Sequence, residues 1–190
     1  MEFGLVERVI DAYLHGAFPM AEQGELCFFT CDPRFVFLFD QVHIPKRLAR
    51  IARSSPFEIL IDSDFPAVVE ACRRGRPEWI SAELVAVYVQ LFERGLAHSI
   101  EAWQDGRLVG GVYGTHFGAA FMAESMFHTE SNASGVCLVE LLRRLKEGGF
   151  AFCDIQYPNE YTSRFRPVSW SKREFLHRYR KALEGRATLA

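Results

Sequence analysis

The sequence lacks the features that would assign it at a glance. The opening segment MEFGLVERVIDAYLHG carries two Glu, an Asp and an Arg, which breaks it up too much for a signal-peptide core or a membrane span. Basic charge is not in excess: 22 Lys and Arg stand against 24 Asp and Glu, a net charge of −2 at pH 7. The whole-chain field therefore does not attract a polyanion, and any site for one must be local. The five cysteines, at 27, 31, 72, 137 and 153, form no CxxC pair and have no His in zinc-finger register, which argues against a zinc module. Their odd number and scatter fit reduced thiols in a reducing compartment. Repeats, low-complexity tracts and long linkers are absent as well. These absences lead to the expectation of a soluble, cytoplasmic protein without a metal.

Against this stands a chain of 190 residues, 49% hydrophobic, with seventeen Phe. That is enough to bury a core, either as one compact domain or as a domain with a small satellite. Most of the Phe belong in that core. Aromatic rings also supply the flat faces on which nucleobases stack.

Phe3, Leu5, Val6, Val9, Ile10 and Tyr13 recur at helical spacing until Gly16 and Pro19 end the pattern. LCFFT and FVFLF read as strands around the Pro turn of CDPR, IPKRLARIAR as a basic helix and FEILID as a strand. FPAVVEACRRG is predicted helical after Asp64, and ISAELVAVYVQLFERG is an amphipathic helix with Ser81 as its cap and Glu83 near the positive end of its dipole. After Gly95 the texture changes. AHSIEAW, RLVGGVYGTHF and GAAFMAESMF form a meander with turns such as Gln104-Asp105-Gly106, followed by a helix through VCLVELLRRLKEGG and the strand FAFCDIQY. Three antiparallel strands, a helix and a further strand follow the core order of an acetyltransferase-like (GNAT) fold. The expected class is α+β, a GNAT-like antiparallel or mixed sheet with flanking helices over residues 96–190, joined to a small N-terminal α+β subdomain over residues 1–95.

Three places hold polar groups that the pattern alone does not require. Strand alternation turns Asp154 and Gln156 to one face, opposite Cys153 and Ile155, and a carboxylate inside an apolar strand is costly unless bonded or functional. Glu124 is a second charge set in an apolar strand, close enough in a sheet to join them. Ser131, Asn132 and Ser134 offer capping side chains at the mouth of the following helix, where N–H groups and the helix dipole favour an anion. A QxxGxG-like loop, which a coenzyme A-dependent enzyme would show there, is absent. Basic residues gather at Lys46, Arg47, Arg50 and Arg53, and again at Arg164, Arg166, Lys172, Arg173, Arg178, Arg180 and Lys181, a stretch able to neutralise several phosphates.

Taken in order, AYLHGAFP (with Tyr13, Gly16, Phe18 and Pro19), CDPR, Glu78-Trp79-Ile80, AHSIEAW, VGGVYG, AESMF, SNAS and DIQ resemble the leucyl/phenylalanyl-tRNA protein transferase family across about residues 8–160. The resemblance implies transfer of Leu, Phe and less readily Met from aminoacyl-tRNA to protein N-termini that begin with Lys or Arg, marking them for degradation. No cofactor, metal or membrane is implied, and a monomer is expected. It implies that Asp154 polarises Gln156, which relays a proton from the attacking α-amine, while Glu124 holds that amine. Trp79 would stack on the terminal adenosine of the tRNA, with Phe29 where the family commonly has Trp. Val112, Phe121, Leu138, Leu141 and Cys153 would form the aminoacyl pocket. Asn159 and Ser134 would stand at the acceptor entrance, and Arg164, Arg166, Lys172 and Arg173 would meet tRNA phosphates. The chain departs from the family in a shorter N-terminal stretch, in Gly135 where a Lys is usual, and in residues 159–167, which replace an HxxSLGA-like segment. A coenzyme A-dependent N-acetyltransferase and a non-catalytic relic that binds tRNA or N-termini are the competing readings.

Overall fold

The computed structural model describes residues 4–76 and 78–189. Helix α1 (Leu5–Leu14) buries Val6, Val9 and Tyr13, the stripe that its periodicity predicts; Phe3 lies outside the described residues. Strands β1 (Phe18–Glu22) and β2 (Glu25–Phe29) form a small antiparallel sheet of their own. The Pro turn, with a cis Asp32–Pro33 peptide, leads not into a hairpin with β2 but into the main sheet, where β3 (Arg34–Phe37) lies between two other strands. The burial of each strand accounts for this. Val36 and Phe37 of β3 are both buried, so the strand needs cover on both faces, whereas β2 is only half-buried.

The remaining elements are α2 (Lys46–Arg53), β4 (Glu58–Ile61), α3 (Phe65–Gly75), α4 (Ala82–Glu93), β5 (Ala97–Gln104), β6 (Arg107–Phe117), β7 (Ala120–His128), α5 (Ala133–Glu147), β8 (Phe152–Gln156), the short α6 (Glu160–Ser163), β9 (Val168–Trp170) and α7 (Lys172–Leu183). Local chemistry sets their ends. Asp64 accepts from the Ala67 N–H at 3.1 Å to cap α3, and Ser81 accepts from the Leu84 N–H at 3.1 Å to cap α4. Asp105 and Gly106 are both left-handed, with φ of 51° and 71°, as a two-residue hairpin between β5 and β6 requires.

The large sheet is mixed, in the order β4-β5-β6-β7-β8-β3-β9. Among the described residues only β7 and β8 pair in parallel, connected through α5. It draws strands from both sides of Gly95. One buried cluster joins α1, α3, α4 and α7, and a second gathers α2 and α5. Each fully buried Leu or Phe in these clusters contributes roughly 1.5–3 kcal/mol. Gly110 of VGGVYG lets α5 approach the sheet: a Cβ there would stand 2.6 Å from that of Ala133.

The start of α5 differs from expectation. Asn132 occupies the cap position in the left-handed region, with φ of 71°, and its side chain makes no capping bond. Ser134 is buried, with its hydroxyl 3.1 Å from His128 Nδ1. Asn tolerates the left-handed conformation, and this turn uses that tolerance rather than the side-chain oxygen.

Candidate active site

The parallel pairing of β7 with β8 runs from Ala120–Phe152 to Met122–Asp154. Past that point the strands part, and a cavity of about 370 Å³ opens where Glu124 and Gln156 stand. The sheet therefore creates the cleft by ending its ladder, and the polar residues found in apolar strands are those at the opening.

Glu124 is held by three hydroxyls. Tyr13 donates to Oε1 at 2.7 Å, Thr115 donates to Oε1 at 3.3 Å and Tyr88 donates to Oε2 at 3.2 Å; the two tyrosine oxygens are 3.2 Å apart. Burial pushes the Glu124 carboxyl up, the Tyr13 hydrogen bond pulls it down and the nearby Asp154 charge pushes it up again, leaving it at about 7. One edge of the group still reaches the cavity, so it combines closely fitted walls with access. Burial and the Glu124 charge both raise the pKa of Tyr13 and Tyr88, so these hydroxyls stay protonated and serve as donors.

Asp154 is placed otherwise. It is fully buried, and Arg34 grips it: Nε lies 2.9 Å from Oδ1 and 3.0 Å from Oδ2, and Nη2 lies 2.6 Å from Oδ2. The Arg34 guanidinium is sandwiched between Phe18 and Phe175, 4.8 and 4.6 Å from the ring centroids. Burial opposes its charge, but the Asp154 charge and hydrogen bonds outweigh burial and hold its pKa above the ordinary arginine value.

Asp154 and Gln156 consequently do not share one open surface. Gln156 leaves the strand pattern at φ of 54° and lines the cavity, from which Asp154 is sealed. Asp154 Oδ1 accepts from the Gln156 backbone N–H at 2.9 Å, and the Gln156 carbonyl accepts from Cys31 Sγ at 3.5 Å. A non-glycine residue in this region costs of order 1–3 kcal/mol, and those bonds hold it there. With its amide nitrogen turned to the carbonyls of Ala123 and Ile155, at 3.1 Å each, Gln156 bridges the parted strands and turns its oxygen the other way.

Of the expected aminoacyl-pocket residues, Val112 and Leu138 line the cavity. Phe121, Leu141 and Cys153 do not; they are buried in the cluster that supports those two. Ile155, Met126 and Leu84, with Met20, Phe37 and Ile80, are apolar lining residues that the sequence did not single out. Trp79 is 49% exposed and Tyr157 is 53% exposed, and both line the cavity as unburied aromatic faces. Phe29 is half-buried behind Phe18, with ring centroids 6.3 Å apart, and does not line it.

Asn159 reaches the cavity and also caps α6, accepting from the Thr162 N–H at 2.8 Å; Ser134 lies on an adjoining cavity. Arg164 lines that same adjoining cavity. Lys172 and Arg173 open α7, with Lys172 Nζ donating to Thr30 Oγ1 at 3.2 Å, and Arg166 is exposed at φ of 55°. Among the described residues, no cluster of three or more His, Cys, Asp or Glu could hold a metal ion, and no helix is long and apolar enough to cross a membrane.

The partners of the carboxylates were the largest omission from the sequence reading. Arg34 lies 120 residues from Asp154, and Tyr88 lies 36 from Glu124. Tyr13 stood out only as part of a helical stripe and a motif, and Arg34 as the one charge at the start of the apolar FVFLF strand; neither pattern names the carboxylate it meets.

Residues 36–180 match the leucyl/phenylalanyl-tRNA protein transferase family. The chain is 43% identical over 179 residues to the leucyl/phenylalanyl-tRNA protein transferase of Gloeobacter violaceus, covering 93% of each chain. It is 42% identical to that of Rubrobacter xylanophilus, covering 93% of this chain and 94% of the relative. With the Caulobacter vibrioides protein of that name it shares 42% identity, over 94% of this chain and 85% of the relative. Among solved structures, a conserved protein of unknown function from Bacteroides thetaiotaomicron superposes with a TM-score of 0.49 at 14% identity, covering 74% of this chain and 57% of that one.

Proposed function

This chain belongs to the leucyl/phenylalanyl-tRNA protein transferase family of aminoacyltransferases, and from that premise we propose that it moves Leu, Phe and less readily Met from charged tRNA to the α-amine of proteins beginning with Lys or Arg. One observation carries the mechanism: Glu124 and Gln156 line the same apolar cavity, at the cleft between the parted strands, together with an exposed Trp79. The indole supplies a face for the terminal adenosine, and Val112, Leu138, Ile155 and Met126 receive the amino-acid side chain. Such a pocket separates apolar side chains of similar size by only roughly 10–200-fold, so use of more than one donor follows.

The ester is already activated, and the reaction needs an oriented amine and a route for its proton. The amine nitrogen bonds to the ester carbonyl carbon, the carbon–oxygen bond to the ribose breaks, and the ribose hydroxyl leaves with a proton. An α-amine titrates near 8, close to the value of about 7 reached by Glu124, which suits that carboxylate to take the amine's proton. The Gln156 oxygen accepts a hydrogen bond from the same amine. Asp154 acts as a positioning residue, fixing Gln156 through its backbone N–H.

We read the antiparallel β5, β6 and β7, the helix α5 and the parallel β8 as a GNAT-like core. The division near Gly95 is kept as a functional one: Trp79 comes from residues 1–95, while Glu124 and Gln156 come from residues 96–190. The test is transfer of radiolabelled Leu, Phe and Met from charged tRNA to peptides starting with Lys, Arg, Asp or Glu. Transfer to Lys and Arg peptides is expected; transfer confined to Asp and Glu peptides would overturn the acceptor assignment, and none at all would overturn the activity.

A further inference from the structure

A second cavity, of about 380 Å³, adjoins the first, and Arg76, Met126 and Asn159 line both. Its own wall includes His128, Glu160, Tyr161 and Arg164. Two guanidiniums thus face one carboxylate, and the bonds that hold them are to neutral groups. Arg76 Nη1 donates to Ser125 Oγ at 3.2 Å and to the Met126 carbonyl at 3.0 Å, and Arg164 lies 5.6 Å over the Tyr161 ring. A guanidinium held by neutral partners keeps its charge for an incoming anion, and its fork matches phosphate geometry.

The wall is also fitted in place. A Cβ at Gly135 would stand 2.1 Å from the Tyr161 hydroxyl, so the ring beneath Arg164 occupies the space this glycine leaves. Arg76 is joined to the stacking face by one tight turn, in which Trp79 N–H and Ile80 N–H both donate to the Arg76 carbonyl at 3.1 Å. A base on the indole therefore has a cation on the same turn, toward the second cavity.

We propose that this second cavity is a phosphate subsite for the single-stranded end of the donor tRNA, in which Arg76 and Arg164 bind the phosphates on the 5′ side of the terminal adenosine. This rests on the aminoacyl-tRNA reading above, and it singles out Arg164 from the other basic residues near the C-terminus. Sequence-independent backbone contacts of this kind make binding salt-dependent, with a slope of about 0.7 per phosphate for single strands.

The experiment compares two donors with one Lys-starting peptide: phenylalanyl-tRNA, and phenylalanyl-adenosine, which carries no phosphate. The kcat/KM ratio of the first donor to the second is measured for the wild type, R164Q and R76Q, with thermal unfolding as the check on folding. The expected result is a fall in that ratio of about tenfold in each variant, the size of one lost charge-assisted bond, and a salt slope flatter by about 0.7. Equal losses with both donors, or no loss, would overturn the subsite. Should the wild type transfer from neither donor, the aminoacyl-tRNA reading itself fails and the subsite falls with it.

Discussion

Two carboxylates stand on the neighbouring strands β7 and β8, and the fold treats them in opposite ways. Asp154 is sealed from water and faces a guanidinium, which only donates hydrogen bonds. Glu124 keeps an edge toward the cavity and faces hydroxyls, which rotate to donate or accept as its proton comes and goes. The same functional group is thus locked in an ion pair in one setting and left within reach of a cavity in the other. What separates them is the chemistry of the partner and the access to solvent, not sequence context, since both interrupt apolar strands.

The sharpest way to break this contrast is to remove Arg34. Arg34→Ala leaves a buried carboxylate without its partner, an expected loss of about 3–5 kcal/mol that lowers the unfolding midpoint by roughly 6–20 °C and removes transfer. Replacing both partners, as Arg34→Met with Asp154→Leu, is expected to restore most of that midpoint in a thermal melt but not the transfer rate. Recovery of transfer together with stability would mean that Asp154 serves the fold alone.

Glu124→Gln addresses the other carboxylate and reverses the pattern. Transfer is expected to fall by about 10²-fold or more, with the fold kept. Because Glu124 holds its proton more tightly in the folded chain than at its ordinary 4.5, the wild type is expected to lose stability as pH rises from about 4.5 through about 7. Melts across that range should show the slope in the wild type and not in Glu124→Gln. The kcat/KM profile of the wild type should likewise rise through about 7, and the variant should keep only the limb of the α-amine near 8.

The smallest expected effect is that of Tyr88→Phe. It removes a hydroxyl that holds the Glu124 carboxyl down, so the acidic limb of the rate profile should move to higher pH, at a cost of about 0.5–1.5 kcal/mol in stability. A limb that moved to lower pH would mean that this hydroxyl does not donate to Glu124.

How far these features were legible in the sequence depends on how local their causes are. Helices α3 and α4 were readable because Asp64 and Ser81 bond to amides three residues away. The Asp105-Gly106 turn was readable because its left-handed residues announce themselves. Glu124, Asp154 and Gln156 were visible as polar residues in apolar strands, but their surroundings were not. Alternation placed Asp154 beside Gln156, and the positive φ of Gln156 undoes it. In that conformation its carbonyl accepts from Cys31, 125 residues away in sequence. The lining of the cavity was legible only in part. Val112 and Leu138 reach the cavity while Phe121, Leu141 and Cys153 of the same cluster stay behind it, Phe121 and Cys153 because they face each other inside the β7–β8 ladder, short of its opening.

The seating of β3 between β8 and β9 has a consequence for how the protein is born. Arg34 is made early on the ribosome, but Asp154 emerges 120 residues later, and the Phe175 ring that closes over the guanidinium later still. At about 5–20 residues per second, the nascent chain spends many seconds with this cation unpartnered and β3 without the strand it pairs with. The cleft is therefore complete only when synthesis nearly is, and a chain released early carries the exposed Trp79 and the β7 carboxylate without the Arg34–Asp154 pair that holds Gln156 in place.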